Sequence, residues 1–159
     1  MNTVEVSVEG IPEPSWLSAF AGLCAGILDS RGKKNWEVSV LLCGDPEIQV
    51  LNRDFRNKDC PTDVLSFAQD EGGELPDNDE NSVFLAGDIV ISLDTVRFHA
   101  EKYAVLRSVE LVRLFVHGLL HLEGHEHDTN SPEEQMILIQ EEIMKSPVVN
   151  KQILKEIVF

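Results

Sequence analysis

Residues 106–127, Leu-Arg-Ser-Val-Glu-Leu-Val-Arg-Leu-Phe-Val-His117-Gly-Leu-Leu-His121-Leu-Glu-Gly124-His-Glu-His127, decide how the C-terminal third of the chain folds. The apolar residues recur at helical spacing from Leu106 to Leu122, so the stretch is expected to be one helix. His117 and His121, four residues apart, then share a face, about 6 Å apart along an axis that rises about 1.5 Å per residue. Both imidazoles can reach one ion. His125 lies eight residues from His117, roughly 12 Å up a straight helix and too far to join them. Gly124 resolves this, because a glycine can take a positive φ, stop the helix and turn the chain back. The expected ligand set is therefore His117, His121 and His127, with His125 a bystander. Three neutral imidazoles and an open fourth position describe a catalytic zinc site better than a structural one. The fifth histidine, His99, lies apart and is read as an ordinary core or surface residue.

The spacing H-x-x-x-H-x-x-G-x-x-H also matches that of metzincin metalloproteases. Those enzymes carry a Glu after the first His as general base, and here that position is Gly118. The usual proton acceptor for peptide hydrolysis is absent. Glu123, Glu126 or Asp128 could replace it only if the fold aims one of them at the ion.

With 159 residues, 43% apolar and 26% charged, the chain has the size and composition of one soluble globular domain. No apolar run approaches the roughly 18 residues of a membrane span. The start, Met-Asn-Thr-Val-Glu-Val, lacks a basic residue and an apolar core like those of a secretion signal, so a cytoplasmic location is expected. Cys24, Cys43 and Cys60 are odd in number, widely spaced and without a C-x-x-C pair, which argues against a disulfide framework. Cys24 and Cys43 read as small core residues and Cys60 as a loop residue.

The formal charge of −15 speaks against nucleic-acid binding when taken alone. Its distribution is uneven. Asp70, Glu71, Glu74, Asp77, Asp79 and Glu80 crowd one stretch, whereas bases gather in Arg31-Gly-Lys33-Lys34 and in Arg53 to Lys58. A locally basic cleft on an acidic protein is compatible with this pattern.

Residues 3–9 alternate as a half-buried strand does, and Ser15 to Ser30 carries Trp16, Phe20, Leu23 and Ile27 on one helical face. Trp36 to Cys43 is a second strand. Asp45 with Pro46 behind it reads as the cap of a helix running to Phe55 or Arg56. Thr62 to Ala68 and Phe84 to Ser92 are further strands, separated by an acidic loop at about 69–82. Leu93 to Tyr103, Leu106 to Leu122 and a segment opened by Ser131-Pro132-Glu133-Glu134 are helical. The order βαβαββααα implies one domain of α/β (α+β) class. It comprises a four-stranded mixed sheet packed with about five helices, with the zinc site at the end of a C-terminal helix.

Three blocks together resemble one family. They are Asn52 to Phe67, N-R-D-F-R-N-K-D-C-P-T-D-V-L-S-F; Gly87 to Ser92, G-D-I-V-I-S; and the histidine run. The chain resembles the YbeY family of bacterial endoribonucleases over roughly residues 35–145. The resemblance implies a metal-dependent endoribonuclease, specific for single strands, acting in ribosomal RNA maturation and ribosome quality control. It implies one Zn2+ held by His117, His121 and His127, and a catalytic role for Arg56. Its implied partners are single-stranded ribosomal RNA, the small ribosomal subunit and associated assembly factors. Where family members read G-Y-D-H, this chain reads Gly124-His125-Glu126-His127, so the final ligand is kept.

A guanidinium can hold two phosphate oxygens at once, which suits Arg56; the residues alone also allow a surface ion pair with Asp59 or Asp63. Thr62, Asp63 and Ser66 stand at a loop-to-strand entry and can shape a cleft. Asp88 can orient a ligand imidazole or simply bond at a strand end. Glu110, seven residues before His117 on the same face, lines the cleft or balances charge. Three classes of function follow: the zinc endoribonuclease, a metal-dependent hydrolase of another substrate such as peptide, and a non-catalytic ribosome assembly factor whose zinc stabilises the fold.

Overall fold

A computed structural model describes residues 1–69 and 82–159. The acidic stretch from Asp70 to Glu80, expected to be a loop, lies outside the described residues. The elements run β1 (Thr3–Val8), α1 (Leu17–Ser30), β2 (Trp36–Cys43), α2 (Asp45–Arg56), β3 (Val64–Ala68), β4 (Phe84–Ser92), α3 (Leu93–Tyr103), α4 (Arg107–Leu122), α5 (Gln135–Lys145) and α6 (Lys151–Leu154). The strands form one sheet in the order β1-β2-β4-β3, with β1, β2 and β4 parallel and β3 antiparallel on the edge. Among the described residues the four-stranded mixed sheet is as the sequence implies, with six helices rather than about five.

Strand parity sorts the side chains onto two faces. Val38, Val40, Leu42, Ile89 and Ile91 join the larger core with α1, α3 and α4. Cys43, Leu65 and Val90 face the other way and pack with Ile48 of α2. Eleven of the sixteen residues of α4 are buried, which makes it the central helix of the larger layer. Gly118 lets it lie close to the sheet: a Cβ built there would stand 2.9 Å from Ile89 Cγ2. Cys24 and Cys43 are buried and Cys60 is exposed.

Three local expectations shift. Gly44, not Asp45, precedes the first turn of α2. The Asp45 carboxylate instead accepts the Ser92 and Thr95 hydroxyls at 2.6 and 2.8 Å, joining α2 to the start of α3. The segment at Ser131 is a turn, with Ser131 Oγ accepting from Glu133 N, and α5 begins only at Gln135. Short α6 carries no periodic signal of its own; Asn150 caps it, and Leu154 and Ile157 pack into the core. Among the described residues no helix is long and apolar enough to cross a membrane.

Candidate metal centre

Helix α4 presents His117 and His121 one turn apart, and the chain then turns at Gly124, whose φ is +98°. The Gly124 N–H donates to the His121 carbonyl and the His125 N–H to that of Leu120, so the last turn closes on itself. Glu123 anchors this turn from outside. Its carboxylate receives Arg31 Nη2 at 2.8 Å and Nε at 3.2 Å, and Lys33 Nζ at 3.2 Å, while its side chain is only 6% exposed. The first basic cluster of the sequence is thus spent on structure. It ties the end of α1 to the bend that returns His127.

The three imidazoles converge. Their ring centroids are 4.8 to 5.1 Å apart, and one nitrogen from each falls within a set no wider than 4.8 Å. His125 is outside this set. His117 Nδ1 meets Gln140 Oε1 at 2.8 Å, and His127 Nδ1 meets the Thr129 carbonyl at 2.9 Å. A carbonyl only accepts, so His127 carries its proton on Nδ1 and offers Nε2. Gln140 Nε2 donates to Glu141 Oε1 at 3.2 Å, which turns the amide oxygen towards His117 and sets the same tautomer there. Glu141 is itself held by Arg113 at 2.9 Å, and Arg113 also reaches Glu110 at 3.3 Å. Burial lowers the pKa of His117, and burial followed by the neighbouring His117 and His127 lowers that of His121 to about 4. Both rings are neutral at pH 7, with lone pairs available. Two defined Nε2 donors and a third neutral imidazole at this spacing fit a tetrahedral ion with an open position.

The triad stands in a cleft of about 1050 Å³. Arg56, Lys58, Thr62, Asp63 and Ser66 line one side of it. Asn52, buried in α2, donates to the Cys60 carbonyl at 2.9 Å and so holds the loop that forms this side. Arg56 Nη2 donates to the Ser66 carbonyl at 2.8 Å, and its guanidinium lies 4.7 Å from the Phe67 ring. It forms no ion pair with Asp59 or Asp63. Asp59 accepts from Gln49 at 3.0 Å, and Asp63 Oδ1 accepts from Val64 N at 2.8 Å. Ser66 pairs with Ile89 across the strands and therefore shares the face that α4 covers. Glu110 is buried in the cleft, 3.5 Å from His99 Nδ1, and Asp63 Oδ2 lies 4.0 Å from the same nitrogen. His99 is thus part of the cleft after all.

Asp88 is placed elsewhere. It pairs with Phe67 across the strands, one residue from Ile89, so its side chain is exposed on the α2 face of the sheet. Parity takes it away from the imidazoles, and Gln140 holds His117 instead. The sequence did contain a signal for Gln140: Met136, Gln140 and Ile143 form the buried stripe of α5, and the glutamine is the polar member. The carboxylates that might replace the absent base at Gly118 are not aimed at the triad either. Glu123 is bound by Arg31 and Lys33, and neither Glu126 nor Asp128 lines the cleft.

Comparison with known proteins follows the same residues. The family described as endoribonuclease YbeY matches residues 6–147. A protein of Treponema pallidum subsp. pallidum named endoribonuclease YbeY is 43% identical over 144 residues, covering 91% of this chain and 89% of its own. One of the same name from Treponema denticola is 50% identical over 118 residues, covering 74% and 75%. A solution structure of a Thermotoga maritima protein superposes with a TM-score of 0.61 at 25% identity, over 96% of this chain and 93% of that one. The matched span runs from β1 past the last histidine of the triad and takes in Arg56, and on this ground the chain belongs to the endoribonuclease YbeY family.

Proposed function

We propose that this chain is a zinc-dependent endoribonuclease, specific for single strands, that acts in ribosomal RNA maturation at the 3′ end of small-subunit RNA and in ribosome quality control. It would work as one hydrolase domain over residues 1–159, in the cytoplasm, with one Zn2+ per chain. Its partners would be the small ribosomal subunit and its assembly factors. The observation that carries this reading is the pairing of two features across one cleft. Three imidazoles stand together, and Arg56 and Lys58, which have no carboxylate partner among the described residues, line the same cleft.

Bound zinc would supply Lewis acidity towards a phosphodiester. The protein groups supply the rest. Arg56 keeps its charge at any working pH, and its bond to Ser66 and its place beside Phe67 fix the guanidinium plane before substrate arrives. Its remaining N–H groups are available to phosphate oxygens and offset charge developing there. Lys58 adds a second cation on the same side. Thr62 and Ser66 shape the rim, and Asp63 holds its loop by accepting from Val64 N. A flexible single strand can lower a phosphate between these walls, whereas a duplex keeps its phosphates on a stiff, regular surface.

Peptide hydrolysis is disfavoured by packing as well as by sequence. The Gly118 position is closed by Ile89, so no side chain, and no general base, fits there without displacing Ile89 or the helix.

The test uses pure protein with single-stranded RNA, duplex RNA and casein, comparing wild type with His117→Ala and Arg56→Ala. Wild type is expected to cut only the single strand. Both variants lose cleavage, and only His117→Ala loses metal by elemental analysis. RNA cleavage that survives in His117→Ala refutes the assignment. Cleavage of casein alone makes the chain a peptide hydrolase. Binding of ribosomal subunits without cleavage makes it an assembly factor.

A further inference from the structure

The geometry points to a nucleobase-stacking subsite on Tyr103, which lines the same cleft as Arg56 and Lys58. The inference rests on the endoribonuclease reading above and concerns how a strand is held beside the triad. Tyr103 is the single tyrosine of the chain and the last residue of α3. It lines the same cleft as the three histidines, yet its side chain is 58% exposed. A large aromatic ring left in water at the rim of a cleft has area to offer an incoming flat group.

Its neighbours support that role. The His99 ring lies 5.7 Å from Tyr103, and Lys102 Nζ stands 5.4 Å from the Tyr103 ring. His99 Nδ1 lies 3.5 Å from buried Glu110 and 4.0 Å from Asp63, so the inner edge of the ring pair is backed by the cleft wall. Glu110 lies seven residues before His117, about 10 Å along the α4 axis. A base on Tyr103 therefore belongs to a neighbouring nucleotide, not to the one whose phosphate meets the triad. Cations for phosphates and an exposed ring for a base within one cleft form the usual arrangement of a groove for single strands.

The subsite accepts bases without reading them. The nearby carboxylates are already engaged, Glu110 with Arg113 and His99, and Asp63 with Val64 N. A stacking surface suits any base, because every base has a π face. It also favours single strands, since bases in a duplex are already stacked on one another.

The experiment mixes zinc-loaded protein with a single-stranded oligoribonucleotide carrying 2-aminopurine in a stopped-flow fluorimeter, reading quenching before cleavage. KM and kcat are then measured on the same strand. Wild type and Tyr103→Phe are expected to quench the probe. Tyr103→Ala is expected to lose the quenching and to raise KM about 5- to 150-fold, with kcat and metal content kept. The same oligonucleotide in a duplex should show no difference among the three proteins. If Tyr103→Ala quenches and binds like a wild type that cuts RNA, the subsite is refuted and the endoribonuclease reading stands. A wild type that neither cuts nor quenches removes that reading, and this subsite with it.

Discussion

Replacing Gln140 with Leu tests whether the fold presets the triad for its ion. The substitution keeps side-chain bulk in the buried stripe of α5 but removes the oxygen that accepts from His117 Nδ1 at 2.8 Å. Three consequences follow. The ring loses one of the contacts that fix its rotation. The proton is no longer held on Nδ1, so part of the metal-free population carries it on Nε2, the nitrogen needed for the ion. Glu141 loses a donor but keeps Arg113 at 2.9 Å, so no new charge is stranded. Outer partners of this kind are worth about 10- to 100-fold in metal affinity, or about 1.4–2.7 kcal/mol. The zinc Kd, measured by chelator competition, should rise within that range. In metal-free protein the 15N shifts of His117 should move from a single Nδ1–H tautomer towards a mixture. Gln140→Glu is a poorer control, because it sets a second carboxylate 3.2 Å from Glu141. An unchanged Kd together with an unchanged tautomer would show that His117 is held by α4 alone and would refute the reasoning.

Two further outcomes follow from other contacts. Gly118→Ala places a methyl 2.9 Å from Ile89 Cγ2; overpacking of about 1–3 kcal/mol outweighs a helix-propensity gain of about 1 kcal/mol. Urea unfolding should therefore show a net loss, smaller in an Ile89→Ala background than in wild type, and equal losses in both would mean that the Ile89 contact is not their cause. His121 is held at about 4 when folded, chiefly by burial, against about 6.5 in an unfolded chain. As pH falls from 6.5 to 4 the unfolded chain takes up a proton that the folded one refuses, so metal-free protein loses stability through that window. The fall in Tm should be shallower in metal-free His121→Gln, and parallel profiles would count against a depressed His121.

The parts of the molecule legible in the sequence are those whose cause is local. The period of α4, the glycine at the bend and the four-residue step between His117 and His121 each act within a turn or two. Together they bring all three imidazoles to one place. Residues whose placement depends on partners distant in sequence were harder to read. Gln140 reaches His117 across 23 positions and Glu123 reaches Arg31 across 92, and neither pairing leaves a pattern in the chain. Asp88 shows the point most sharply. It looked well placed because it sits in a glycine-flanked block, but its role turned on strand parity, which only the register with Phe67 and the packing of Ile89 on Gly118 reveal. The start of α5 slipped for a related reason: Ser131 found its bond within a turn, so the capping signature closed a bend four residues before the helix.

The same distinction between local and summed effects bears on the charge. A chain of net charge −15 looks ill suited to a polyanion. Salt at physiological strength screens exposed charges beyond about 8 Å, so a phosphate seated in the cleft feels chiefly the groups that line it. There Arg113 holds Glu110 and Glu141, and Asp63 accepts from Val64 N beside His99; away from the cleft, Glu123 is held by Arg31 and Lys33. Arg56 and Lys58 are not neutralised in this way, and the imidazoles add no negative charge. Arg56, Lys58 and Arg113 match Asp63, Glu110 and Glu141 in formal charge, so the cleft lining is neutral within an acidic protein, and the two cations outside the Arg113 ion pairs, Arg56 and Lys58, are the ones a phosphate can meet.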